Sequence, residues 1–135
     1  MKKLIPLITF ALVFLVALTA QAETPQEASK AILMLLEQKD YDELFRTRYS
    51  ELHKAEKEGK VDEAIKTLSG YWDKNHQTMI GLFEQLSNGH FTISKHDYAQ
   101  ITETGQKATC QVTIGGKIIP YSLYEMKTGR WGFHM

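Results

Sequence analysis

VDEAIKTLSGYWDKNHQTMIGLFEQL, residues 61–86, decides the fold. Its apolar residues fall at Val61, Ala64, Ile65, Leu68, Trp72, Met79, Leu82, Phe83 and Leu86. Steps of three and four over this distance set those side chains on one face of a helix with 3.6 residues per turn, a match that no alternating strand pattern gives. An apolar face of that length needs a flat apolar partner, and the candidate is the strand-patterned stretch from His90 onward. An interior Gly costs about 1 kcal/mol relative to Ala. Ser69-Gly70 is therefore the expected place for a kink or break, dividing the stretch into helices over 61–68 and 71–87. Gly81 is expected to let a neighbouring backbone approach. Ser87-Asn88-Gly89 should end the helix in residues that tolerate a left-handed C-cap.

Working back toward the N-terminus, residues 51–60 mix Glu51, Lys54, Glu56, Lys57, Glu58 and Lys60 around Gly59, which predicts a solvated connection. Before it, Asp40-Tyr41-Asp42-Glu43 starts a short helix with Leu44, Phe45 and Tyr49 on its apolar side, running loosely toward Leu52. Thr24-Pro25-Gln26-Glu27 is a capping box with Pro at the first helical position, and Ala28, Ala31, Ile32, Leu35 and Leu36 form that helix's buried face.

The opening residues have a different character. Met1-Lys2-Lys3 is basic, Leu4 to Leu18 is apolar apart from Pro6 and Thr9, and Ala20-Gln21-Ala22 fits the small-x-small rule of signal peptidase. Residues 1–22 are read as a secretory signal. An uncleaved anchor is the alternative, although the run is shorter than the roughly 20 apolar residues of a spanning helix. No Cys follows, so a lipidated start is not expected, nor is a stable membrane anchor after cleavage. The predicted location is periplasmic or secreted. Residues 23–135 then make one domain whose 14 basic and 16 acidic side chains argue against nucleic acid as a partner. The single Cys110 makes no internal disulfide and is expected to be a small buried strand residue.

Past Gly89 the period becomes two. Phe91 to Ile101 is predicted as a first strand, Glu103 to Gln106 as a turn, and Ala108, Cys110, Val112 and Ile114 as the inner face of a second strand. Gly115-Gly116 suits a two-residue hairpin. A third strand follows over 118–126, with Pro120 at an edge or bulge. Lys127-Thr128-Gly129 turns, and 130–135 forms a last strand with Trp131 and Phe133 on one side. Helices followed by four consecutive antiparallel strands define an α+β class, with the N-terminal helices packed on one face of the sheet.

The order of elements, the Ala108–Val112 strand, the Gly115-Gly116 hairpin and the closing Lys127-Thr128-Gly129-Arg130-Trp131 turn resemble the nuclear transport factor 2-like (cystatin-like) superfamily. More narrowly, they are similar to small secreted bacterial members of unknown function. The resemblance spans residues 24–135 and implies a curved sheet wrapped around the helices with a conical pocket between them. In that superfamily the pocket is in some members catalytic, in some a binding cavity, and in some filled by side chains.

Chemistry is sparse. His53, His76, His90, His96 and His134 show no local pairing that supplies two ligands to one metal, so no metal and no cofactor is expected. Nucleophile motifs and phosphate-binding glycine loops are absent. Ketosteroid isomerases and polyketide cyclases of the same superfamily place a carboxylate or His–Asp pair and a Tyr in the pocket. Here Asp73, Asp97, Tyr98 and Tyr121 are parts of such a set without completing it. The leading expectation is a non-enzymatic module that binds a small apolar ligand or a periplasmic protein, with a homodimer also open. The pocket walls would include Trp72, His76, Met79, Phe83 and Tyr121. The alternative is a small lyase, isomerase or hydrolase with His76 or Asp97 as general base.

Overall fold

The computed structural model of the protein describes residues 22–134. The predicted signal segment lies outside the described residues except for Ala22. The capping box forms as read: Glu27 N donates to Thr24 Oγ1, and Thr24 N donates to Glu27 Oε1, both at 3.1 Å. It opens α1 (Pro25–Glu37). Asp40 caps α2 (Tyr41–Arg48) by accepting from Glu43 N at 3.3 Å. Next come α3 (Leu52–Lys57), α4 (Val61–Lys74) and α5 (His76–Ser87). The sheet contains β1 (Thr92–Lys95), β2 (Glu103–Ile114), β3 (Lys117–Met126) and β4 (Trp131–Gly132), in spatial order β1-β2-β3-β4 and antiparallel throughout. The described residues are thus α+β, with five helices on a four-stranded open sheet. Among the described residues no helix is long and apolar enough to cross a membrane.

The central stripe forms, but its interruption lies elsewhere. α4 runs through Gly70 without a break, and a Cβ there would meet nothing within 4 Å. The helix ends instead at Asn75, whose φ of −108° and ψ of 25° leave the helical region. Asn75 Nδ2 donates to Tyr71 O at 2.9 Å while its backbone N–H bonds Trp72 O at 3.1 Å. An Asn side chain that captures a nearby carbonyl competes with the helix ladder, whereas the intrinsic cost of an exposed Gly is outweighed by the burial of Ile65 and Trp72 on either side. Of the two segments only α5 lies over the sheet, on β2. α4 packs mainly against α2 and α3, with Trp72 reaching across to Phe133.

Other boundaries also differ. The charged stretch at 51–60 contains α3, anchored by buried Leu52. Gly81 lies in open space. Neither Asn88 nor Gly89 takes a left-handed conformation; Gly89 is required because a Cβ would stand 2.4 Å from Cys110 Sγ. The first strand stops at Lys95, and the second begins early at Glu103, with a register irregularity between Glu103 and Lys107 and Gly105 at φ 99°. Gly115 and Gly116, at φ 58° and 77°, make the expected hairpin. Pro120 lies opposite Gln111 where β3 has no partner on its other flank, since β4 pairs only with Tyr124 and Glu125. Beyond β4, Phe133 forms a parallel bridge with Tyr49.

The core is one cluster. Ala28, Ile32 and Leu36 of α1 and Leu82, Phe83 and Leu86 of α5 join Ala108, Val112 and Leu123 of the sheet. At its centre Phe133 meets Trp72 at 4.7 Å and Phe45 at 5.8 Å, and Phe45 meets Trp72 edge-on at 5.1 Å. Each such ring pair adds about 0.5–1.5 kcal/mol beyond area burial. Phe133, the residue after β4, therefore ties the end of the sheet to α2 and α4.

Candidate functional site

The end of α2 organises both features of interest. Tyr49 turns into extended backbone (φ −91°, ψ 106°), and the chain runs beside β4 as Phe133 N donates to Arg48 O at 2.8 Å and Ser50 N to Phe133 O at 3.0 Å. From this anchored turn α3 leaves and α4 returns. Between them lies a groove of about 400 Å³ whose apolar surface is Tyr49, Ala55, Ala64 and Leu68. Its rim is charged, with Glu51 and Lys54 paired at 2.7 Å and Lys60 and Glu63 opposite.

Glu51 also borders a polar cluster. Register places it: Tyr124 pairs with Lys107 and with Gly132, on the opposite parity to buried Ala108 and Leu123. His134, two residues past Gly132, and His96, two past Ser94 opposite Lys107, share that parity. They meet at the end of the sheet where the chain of 96–102 loops out and Glu103 returns. Glu103 Oε2 stands 3.6 Å from His134 Nε2, and Glu103 Oε1 3.9 Å from His96 Nε2. Tyr124 stacks on the His134 ring at 3.8 Å and lies 4.8 Å from that of His96. The Glu103 side chain is 1% exposed. It is held by Ser50 Oγ, which donates to Oε2 at 2.6 Å, and by Gln100 N, which donates to Oε1 at 2.8 Å. Thr102 Oγ1 donates to Ser50 O at 2.6 Å and fixes the donor in turn. Burial, and then the negative charge of Glu103 and Glu51, pushes the Tyr124 phenol above its ordinary range. Both imidazole Nε2 atoms are buried and have no hydrogen-bond partner among the described residues. An orphan of this kind costs about 1–3 kcal/mol.

The residues singled out from the sequence are distributed differently. Trp72 and Phe83 are core residues, their rings 6.3 Å apart, and Tyr121 packs edge-on against Phe83 at 6.0 Å. Met79 is half-buried against the same core. His76 stands apart, its Nε2–H donating to Leu36 O at 2.8 Å. The grooves of about 400, 280 and 160 Å³ are lined by none of these five. Asp97 is exposed and lies 3.6 Å from Lys95; Tyr98 is exposed. Asp73 holds Lys39 at 3.1 Å and accepts from Tyr41 Oη at 3.0 Å, and Lys39 and Tyr41 together lower its carboxyl pKa. Desolvation and the Asp73 carboxylate push the Tyr41 phenol up to about 12. Cys110 is buried, as read, and burial raises its thiol.

Local spacing did not reveal His96, Glu103 and His134, which are brought together from a strand end, a strand start and the chain's end. The signal lay in the strand parities. His96, Tyr124 and His134 are outward residues at one end of three strands, and laying the strands side by side would have aligned them. Glu103 stays hidden because Glu103-Thr104-Gly105-Gln106 has the pattern of a turn.

These features define a small α+β domain with an amphipathic helical groove and a His–Glu cluster at one sheet end. No protein-family model, curated protein or solved structure matches the chain.

Proposed function

We propose that residues 23–135 form an exported domain, periplasmic or secreted, of the nuclear transport factor 2-like kind, which binds a small apolar ligand and does not transform it. In this reading the interior of the cone is taken up by the aromatic core, and the ligand lies in the groove between α3 and α4. The observation that carries it is the groove itself. Its volume of about 400 Å³ falls in the range of small-molecule sites, roughly 300–1,000 Å³. Its Tyr49, Ala55, Ala64 and Leu68 surface suits an apolar body, while Lys54, Lys60 and Glu63 at the rim suit a polar head. The reading is supported by the positions of the two candidate bases: His76 donates Nε2–H to a backbone carbonyl away from the groove, and Asp97 stands in solvent beside Lys95.

Filling the groove tests this. Ala64 is half-buried on the groove face of α4, so Ala64→Trp should occupy the space. The fluorescence of bound anilinonaphthalene sulfonate should be strong with the native protein and at least several-fold weaker with the variant. Unfolding free energies should stay within about 0.5 kcal/mol, as for surface changes in general. Equal dye binding by both proteins would move the ligand site elsewhere, and no binding by the native protein would end the small-ligand reading.

A further inference from the structure

The geometry points to a divalent transition-metal site of the zinc class at His96, Glu103 and His134, a binding function separate from the groove. The ligand atoms, His96 Nε2, His134 Nε2 and a Glu103 carboxylate oxygen, all lie within 4.8 Å of one another. Two imidazoles and one carboxylate with a further position left open is the donor set of many catalytic zinc sites. At the usual zinc–ligand lengths, two ligand atoms of a tetrahedral ion stand about 3.4 Å apart. Glu103 Oε2 stands 3.6 Å from His134 Nε2 and Oε1 3.9 Å from His96 Nε2, so each oxygen faces one ring at close to that value. These separations are too long for hydrogen bonds, so the three groups converge without a hydrogen bond among them.

Three further observations favour an ion over a bare His–Glu pair. The Nε2 atoms of both rings are buried and unpartnered, and both face the same carboxylate. Glu103 is oriented before any ion arrives, because Ser50 Oγ and Gln100 N each occupy one lone pair of a different oxygen and leave the others for coordination. His134 has a second carboxylate behind it: Glu51 Oε1 lies 3.8 Å from Nδ1. With an ion on Nε2 the ring carries its proton on Nδ1, facing Glu51, the side from which a carboxylate supports a metal-binding histidine. Tyr124, stacked on His134, holds the ring plane. The two imidazole side chains retain 16% and 18% exposure, so the cluster lies just beneath the surface.

The purified protein, stripped with a chelator, should take up one equivalent of Zn²⁺ in competition with a chromophoric chelator. With Co²⁺ it should develop visible ligand-field bands. His96→Ala and His134→Ala should each weaken Zn²⁺ binding by more than the roughly 100-fold that marks the upper end for loss of a supporting partner, and Glu51→Gln by about 10- to 100-fold. Should an alanine variant fail to fold by circular dichroism, Glu103→Gln serves in its place, since the amide retains atoms for Ser50 and Gln100 to bond, and it should show the same loss. Absence of ligand-field bands with the native protein overturns the proposal. So does Zn²⁺ binding that folded His96, His134 or Glu103 variants leave unchanged, which would assign the ion to His53, His76 or His90.

Discussion

Arg48 is the buried charge on which the N-terminal and C-terminal segments converge. Its guanidinium donates to the Glu23 carboxylate through Nη1 and Nη2 and to Trp131 O at 3.0 Å. Trp131 returns both its donors to Glu23, backbone N to Oε1 at 2.8 Å and Nε1 to the carbonyl at 3.0 Å. Removing one partner of a buried pair leaves the other charge uncompensated, at a cost of about 3–5 kcal/mol. The Arg48 side chain is 6% exposed and that of Glu23 17%, so the carboxylate has the easier route to water. Glu23→Ala should therefore lower stability by about 3–5 kcal/mol, and Arg48→Met, which keeps the packed stem, by less. Urea midpoints of the two variants give the order, and a larger loss for Arg48→Met would contradict the account. No sequence spacing hints that residues 23, 48 and 131 meet. The same holds for the His96–Glu103–His134 cluster, because contacts of this kind are made by topology and register, while local pattern reports only which face a residue takes.

At the scale of elements much more was legible. The Thr24 capping box, the stripe from Val61 to Leu86, the Gly115-Gly116 hairpin and the inward parity of Ala108 to Val112 each rest on a local physical rule, and each is present. The misplaced boundaries occur where two local rules compete. Gly70 carries a propensity cost but sits between buried Ile65 and Trp72, while Asn75 has a side chain able to seize Tyr71 O. The gap in the stripe between Trp72 and Met79 already marked that spot. α3 escaped notice because only Leu52 of its six residues is buried, leaving almost no periodic signal. A direct consequence follows for Gly70. It is helical, exposed and free of neighbours within 4 Å. Gly70→Ala should thus stabilise the protein by about 0.5–1 kcal/mol through backbone entropy. Thermal unfolding monitored by circular dichroism should show a higher midpoint; a lower one would mean that the helix needs a hinge at Gly70 after all.

Over the whole molecule, the alkaline limit of stability follows from which protons the core retains. Cys110 lies beneath Gly89, and Tyr121 packs against Phe83. Burial raises the pKa of both, with the Tyr121 phenol further raised by its neighbour Tyr124. Below the ordinary values, about 8.5 for a thiol and 10 for a phenol, both groups are protonated whether the chain is folded or not, and pH does not act through them. Above those values the unfolded chain releases the protons while the folded chain keeps them, so unfolding is favoured increasingly until the folded groups ionise too. Stability should therefore begin to fall above about pH 8.5 and more steeply above pH 10. Tyr121→Phe removes the phenol while preserving the ring that meets Phe83, and should flatten the steeper part of the decline. Cys110→Ala should flatten the earlier part, leaving Gly89 its close approach to β2. Urea titrations between pH 7 and 11 measure both effects. A native-protein profile that stays level above pH 10, or a Tyr121→Phe profile that declines as steeply as the native one, would show that Tyr121 ionises in the folded state as readily as in water.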